Sequence, residues 1–194
     1  MTDLGKVMDR IQQLSTESLA KLLDFVAYLE WQERRGETAE ASWSFSFIEA
    51  FKRANIYATE RPDGMDIKMA VATAGGEQRP ALWAHPPLGG QAVIEYYVPI
   101  PDTITRASLR LAIGIRDGAK ISEDNLVAFG VRVNGVRVWG RQTNAQNWQS
   151  VEIPLKLNRG DMARFQFTTE TLGSHEWTWA AWANPELVAH LPEL

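Results

Sequence analysis

Past about residue 90, apolar and polar positions alternate. Ile94, Tyr96, Val98 and Ile100 fall on one face of an extended chain, and so do Leu109, Leu111, Ile113 and Ile115. Val151, Ile153, Leu155 and Leu157 repeat the pattern, followed by Phe165, Phe167 and Thr169. A period of two is the signature of a strand with one buried face. Turn residues separate these runs at intervals of about 8–12 residues, as in a sandwich or barrel. Pro99, Pro101 and Pro154 suit strand ends or edges, because proline lacks the ladder N–H.

The first 55 residues read differently. Leu4, Val7, Met8, Ile11 and Leu14 follow helical spacing, and Leu19, Leu22, Leu23, Val26 and Leu29 form a second apolar stripe. Ser15 is placed to cap that second helix, with Glu17 in its first turn and Leu14 and Leu19 as a hydrophobic staple. Arg34, Arg35 and then Gly36 mark its end. Ser46-x-x-Glu49 has the form of a capping box before Phe47, Ile48, Phe51 and Ala54, predicting a short third helix, with Gly36 to Ser42 as linker. This divides the chain into a helical segment over 1–55 and a sandwich over 56–194. The later part holds 12 of the 14 glycines, all nine prolines and six of the eight tryptophans.

Asn134-Gly135 between two alternating runs predicts a two-residue hairpin turn. In that register Val133 faces Val136, Arg132 faces Arg137, Val131 faces Val138 and Gly130 faces Trp139. Directly paired residues share a face. Phe129, Val131, Val133, Val136 and Val138 then form the core side. Trp139 lies on the other side with Arg132, Arg137 and Arg141, a candidate binding platform in which the indole stacks and the arginines hold polar groups. The competing reading is that the helical segment covers this face, or that an arginine stacks on the indole.

The charge balance narrows the function. A net charge of −4 favours neither nucleic acid nor an anionic membrane surface, and no apolar run reaches the roughly 18 residues of a membrane span. With no basic-then-apolar N-terminal segment, the expected location is cytoplasmic. The absence of cysteine excludes disulfides, thiolate metal sites and cysteine nucleophiles. His85, His175 and His190 lack the clustered spacing of a metal site. His85, before Pro86-Pro87, reads as a structural histidine. Adjacent His175 and Glu176 point to opposite faces in a strand. Asp117-Gly118 and Glu123-Asp124-Asn125 carry oxygen ligands without EF-hand spacing and read as solvated turns. No catalytic residue, metal or cofactor is expected. In Trp177-Thr-Trp179-Ala-Ala-Trp182, alternation puts Trp177 and Trp179 on one face and Trp182 on the other, as a final core strand or a second aromatic platform.

Five segments in order carry a resemblance: Arg79-Pro-Ala-Leu-Trp-Ala-His-Pro-Pro87, Ile94-Glu-Tyr-Tyr-Val-Pro-Ile-Pro101, Leu111-Ala-Ile-Gly-Ile-Arg-Asp-Gly118, Val131-Arg-Val-Asn-Gly135 and Trp177-Thr-Trp-Ala-Ala-Trp-Ala-Asn-Pro185. Across about residues 65–190 the chain resembles the galactose-binding-like jelly-roll domains of carbohydrate-binding-module type. The resemblance implies an antiparallel sandwich, often with a structural Ca²⁺ and a ligand site in loops at one end. Residues 11–29 are similar to association segments of small bacterial antitoxin-like proteins, without a DNA-binding element before them. The expectation is a mainly β protein: an antiparallel jelly-roll sandwich preceded by helices, acting as a non-enzymatic binding module for a carbohydrate or other small polar ligand. Residues 1–35 would mediate homo-oligomerisation or a protein contact. The alternative is an assembly protein whose helices and sandwich make only protein contacts.

Overall fold

The structure is a computed structural model that describes residues 42–191 together with Gly5, Ile11 and Leu14. The chain divides into two compact units, 1–41 and 42–194. The two helices expected over 1–35 lie outside the described residues, as does the association role assigned to them.

The second unit is a sandwich of two antiparallel sheets. One contains, in spatial order, β3 (Asp66–Ala74), β4 (Glu77–His85), β11 (Ala180–His190), β6 (Arg106–Ile115) and β9 (Gln149–Leu155), with β1 (Ser42–Ser46) also paired to β11. The other contains β2 (Asn55–Ala58), β5 (Gln91–Pro99), β10 (Met162–Thr171), β7 (Val127–Val133) and β8 (Val136–Thr143). The alternating runs behave as their period demands: Ile94, Tyr96, Val98, Leu109, Leu111, Ile113, Phe165 and Phe167 are all buried between the sheets. Pro99 ends β5, and Pro154 sits in edge strand β9.

Rings hold the centre. Phe47 packs at 4.9–5.3 Å from Tyr96, Phe165 and Phe167, and Trp182 lies 5.1 Å from Phe129 and 5.3 Å from Phe167. Edge-to-face pairs of this kind add to the burial of large apolar area. The buried Tyr96 hydroxyl donates to the Phe47 carbonyl at 3.0 Å, and burial raises its pKa above the ordinary phenol value. Trp182 is thus a core residue of the last strand. Trp177 and Trp179 precede that strand in a loop, their rings 5.2 Å apart.

Two expectations are corrected. One half of the capping box at Ser46 forms, the Glu49 amide donating to Ser46 Oγ at 3.3 Å, but it opens a turn and one 3-10 turn (Phe51–Arg53) rather than a helix. β1 pairs with β11 and Phe47 enters the core, so residues 42–54 are sandwich and the change of composition near residue 55 is no structural boundary.

The second correction concerns the hairpin. Asn134 (φ 51°) and Gly135 (φ 85°) do form the two-residue turn, and Arg132 pairs with Arg137. Beyond that, Val131 pairs with Trp139, Gly130 with Gly140 and Phe129 with Arg141. Val138 is the extra residue of a bulge, and one inserted residue reverses the face of everything after it. Trp139 therefore packs on the core side, 6.1 Å from Trp182, and Arg141 falls on its side of the edge strand. The gain is physical: the indole is half buried against apolar rings instead of standing in water.

Candidate functional site

The outer face of the five-stranded sheet brings together residues from all five of its strands. Antiparallel pairing places Asn55, Glu95, Gln166, Arg132 and Arg137 in one row across the sheet. The adjoining row runs Tyr57, Val93, Thr168, Gly130 and Gly140; on the other side Tyr97 pairs with Arg164. Of the four residues expected from the hairpin, the structure brings Arg132 and Arg137 to this face and separates Trp139 and Arg141 from it.

A hydrogen-bonded cluster occupies the centre. Glu95 is 7% exposed, a depth at which a carboxylate needs partners. Its Oε2 accepts from Gln166 Nε2 at 2.9 Å and from the Tyr57 hydroxyl at 3.4 Å, and its Oε1 accepts from Asn55 Nδ2 at 3.5 Å. Gln166 Nε2 also donates to Tyr57 Oη at 3.0 Å, and Arg164 Nε stands 4.0 Å from Glu95. The network fixes these side chains before any ligand arrives. Beside it, Tyr57 is 39% and Tyr97 53% exposed; among the described residues these are the exposed aromatic rings. The row of small residues continues the surface: at Gly130 an added β-carbon would meet Thr168 Oγ1, and at Gly140 the Arg137 guanidinium fills the space.

Tyrosine faces beside a carboxylate, an amide and guanidinium forks suit a polyhydroxylated ligand, whose C–H faces stack and whose hydroxyls both donate and accept. Tyr97 was readable in Ile94-Glu-Tyr-Tyr-Val98: if Tyr96 points inward, Tyr97 points outward. Tyr57 and its bond to Glu95 were not, because they join strands 38 residues apart in the chain.

The outer face of the six-stranded sheet is built on alanine. Ala72, Ala81, Ala112, Ala181 and Ala183 are buried there beneath half-buried Trp83 and Trp148. Both indoles are tied down: Trp83 Nε1 donates to the Val71 carbonyl at 3.3 Å, and Trp148 Nε1 to that of Glu77 at 2.9 Å. Where β11 bulges at Asn184-Pro185, a shallow groove of about 520 Å³ opens among Arg79, Arg110, Ser150, Glu152 and Asn184. Its charges are already matched, Arg79 with Glu77 at 2.8 Å and Arg110 with Glu152 at 3.1 Å. Arg79 holds the Glu77 carboxyl below the usual range, and the Ser108 hydroxyl, then Arg110, does the same for Glu152.

The remaining candidates are structural. His85 Nδ1 lies 2.7 Å from the Thr178 carbonyl, and His175 Nε2 lies 2.8 Å from that of Pro86, the two rings 4.5 Å apart. Asp117 accepts from the amides of Gly75 and Gly76 at 2.9 Å each, locking the β3–β4 turn. Asn125 accepts from the Ser122 amide and donates to the Glu176 carbonyl. Among the described residues no three His, Asp or Glu side chains cluster as a metal site, and no helix is long and apolar enough to cross a membrane.

No protein-family model matches the sequence, and no curated protein matches it. Solved structures do match in fold. Tandem family 51 carbohydrate-binding modules of a family 98 glycoside hydrolase from Streptococcus pneumoniae align with TM-score 0.53 at 10% identity, covering 79% of this chain and 49% of that one. A second family 51 module with an adjoining domain, from a Clostridium perfringens protein solved in complex with GlcNAc, aligns with TM-score 0.52 at 12% identity, covering 78% of this chain and 32% of that one. This chain thus spans about half and a third of those chains. At such identities the likeness establishes the fold, that of the carbohydrate-binding-module sandwiches. It lends nothing to the antitoxin resemblance of residues 11–29.

Proposed function

We propose that the sandwich is a non-catalytic carbohydrate-binding module and that its ligand lies across the outer face of the five-stranded sheet. The single observation that carries this reading is the pair of exposed rings, Tyr57 and Tyr97, flanking the hydrogen-bonded cluster of Glu95, Gln166 and Arg164. Tyr97 supplies the stacking surface, and Tyr57 adds a second while its hydroxyl stays in the cluster. Arg132 and Arg137 extend the polar row and meet hydroxyls further along the ligand. The fold likeness supports the reading, since both aligned structures contain carbohydrate-binding modules.

The test is a printed array of neutral oligosaccharides with galactose, glucose and GlcNAc termini, probed with the full chain and with Tyr97→Ala. Binding by the wild type that the variant loses, at an unchanged melting temperature, is the expected result. Retention of every signal by Tyr97→Ala, or no signal with the wild type, would overturn the assignment.

A further inference from the structure

At the end of the six-stranded sheet stands an arginine that no carboxylate answers. Arg116 follows β6, and its amide donates to the Trp179 carbonyl at 3.0 Å. Its guanidinium lies 3.5 Å from the centre of the Trp83 ring and 5.1 Å from that of Trp179. Its Nε is buried with no hydrogen-bond partner. The carboxylates that could neutralise it are engaged. Asp117, its chain neighbour, spends both oxygens on the Gly75 and Gly76 amides, and Asp66 is held by Lys68 Nζ at 2.7 Å. Two lysines lie against the same group of indoles, Lys68 in its pair with Asp66 and, among the described residues, Lys120 without one. Lys68 Nζ is 4.5 Å from the Trp83 ring, and Lys120 Nζ is 5.3 Å from the Trp177 ring that neighbours Trp179.

A half-buried guanidinium with an unmet donor and, among the described residues, no ion pair suits an anion: it has given up water, and Asp66 compensates only part of that loss. Burial lowers its pKa to about 10, with Asp66 offsetting part of the loss. Two indoles hold the guanidinium in place, and its fork suits two parallel bonds to an oxyanion. Those rings also wall the site with apolar surface that a free inorganic ion would not use.

We propose that Arg116, Trp83 and Trp179 form a second binding site, specific for an oxyanion such as a sulfate ester or carboxylate carried on a larger ring-bearing ligand. The site lies on the sheet opposite the tyrosine face and does not depend on that face binding anything. Arg116 takes two oxygens, the indoles contact the carrier, and Lys120 adds long-range attraction.

The test follows the indole N–H signals of the full chain, labelled at tryptophan, during titration with glucose 6-sulfate, glucose and inorganic sulfate at constant ionic strength. Glucose 6-sulfate should shift the Trp83 and Trp179 signals to saturation. Sulfate alone should shift the same signals with weaker affinity, and glucose should leave them in place. Arg116→Gln should weaken glucose 6-sulfate binding by about tenfold or more, the scale of a charged hydrogen bond. Arg116→Lys keeps the charge but not the fork and should fall between; it carries the test if Arg116→Gln does not fold. Equal shifts from glucose and glucose 6-sulfate would overturn the proposal. So would unchanged affinity in either variant, or no movement of these signals with any of the three.

Discussion

The two outer faces of this sandwich use aromatic residues in opposite ways. On the six-stranded sheet, Trp83 and Trp148 lie over a floor of buried alanines, with cations against their rings and their N–H groups bonded to backbone carbonyls. On the five-stranded sheet, Tyr57 and Tyr97 rise from a polar network and keep ring surface in water. The difference teaches that the count of aromatic residues does not locate a binding face. A large ring over small side chains roofs the sheet and contributes to stability, whereas a ring beside satisfied polar groups costs stability little and remains free to stack.

Removing one ring from each face puts that contrast to the test. Trp83→Ala should destabilise the protein by about 2–4 kcal/mol, as loss of a large packed side chain does. Tyr97→Ala should change stability by less than about 0.5 kcal/mol, as exposed substitutions do. Urea melts of both variants decide the matter, and equal losses would erase the distinction. A glycine pair sharpens it at smaller scale. A β-carbon at Gly114 would come within 2.8 Å of the Asn147 carbonyl, whereas at Gly130 it would meet the end of a side chain, Thr168 Oγ1, at 2.6 Å. Gly114→Ala should therefore cost about 1–3 kcal/mol, the range for overpacking. Gly130→Ala should cost less, because a hydroxyl can turn aside and a carbonyl in a loop cannot.

Acid should act at the sheet end that holds Arg116. Burial lowers the pKa of His85; its bond to the Thr178 carbonyl opposes this, His175 and Arg116 reinforce it, and Asp66 opposes. The unfolded chain then takes up this proton at higher pH than the folded one. Stability from this residue is complete above the unfolded value near 6.5, falls as pH drops below it, and levels off beneath the folded-state pKa. Thermal melts across that window should show the loss, and His85→Gln should flatten that part of the profile. Within the polar cluster the effect expected is a single hydrogen bond's, at Tyr57→Phe, which removes the hydroxyl shared with Glu95 and Gln166. Its cost in stability should be about 1 kcal/mol, the scale of one hydrogen bond. An unchanged urea midpoint would mean that the cluster holds Glu95 without that hydroxyl.

The alternating runs at 94–100, 109–115 and 165–169 determined their strands and buried faces by themselves, because a period of two leaves one arrangement that hides the apolar side. The turn at Asn134-Gly135 was equally local, since few residue pairs accept positive φ twice. Trp139 was not local. Nothing in Val136-Arg-Val-Trp139 marks Val138 as the bulged residue; the choice rests on Trp182, more than forty positions away, offering a ring to pack against. The capping signal at Ser46 was sound as chemistry but could not reveal that Phe47 would be drawn between the sheets, ending any helix before it began. The tyrosine face and the unanswered guanidinium of Arg116 belong to the same class. Each depends on partners from several strands, and pairing between distant segments is decided by the whole core, which no stretch of sequence contains.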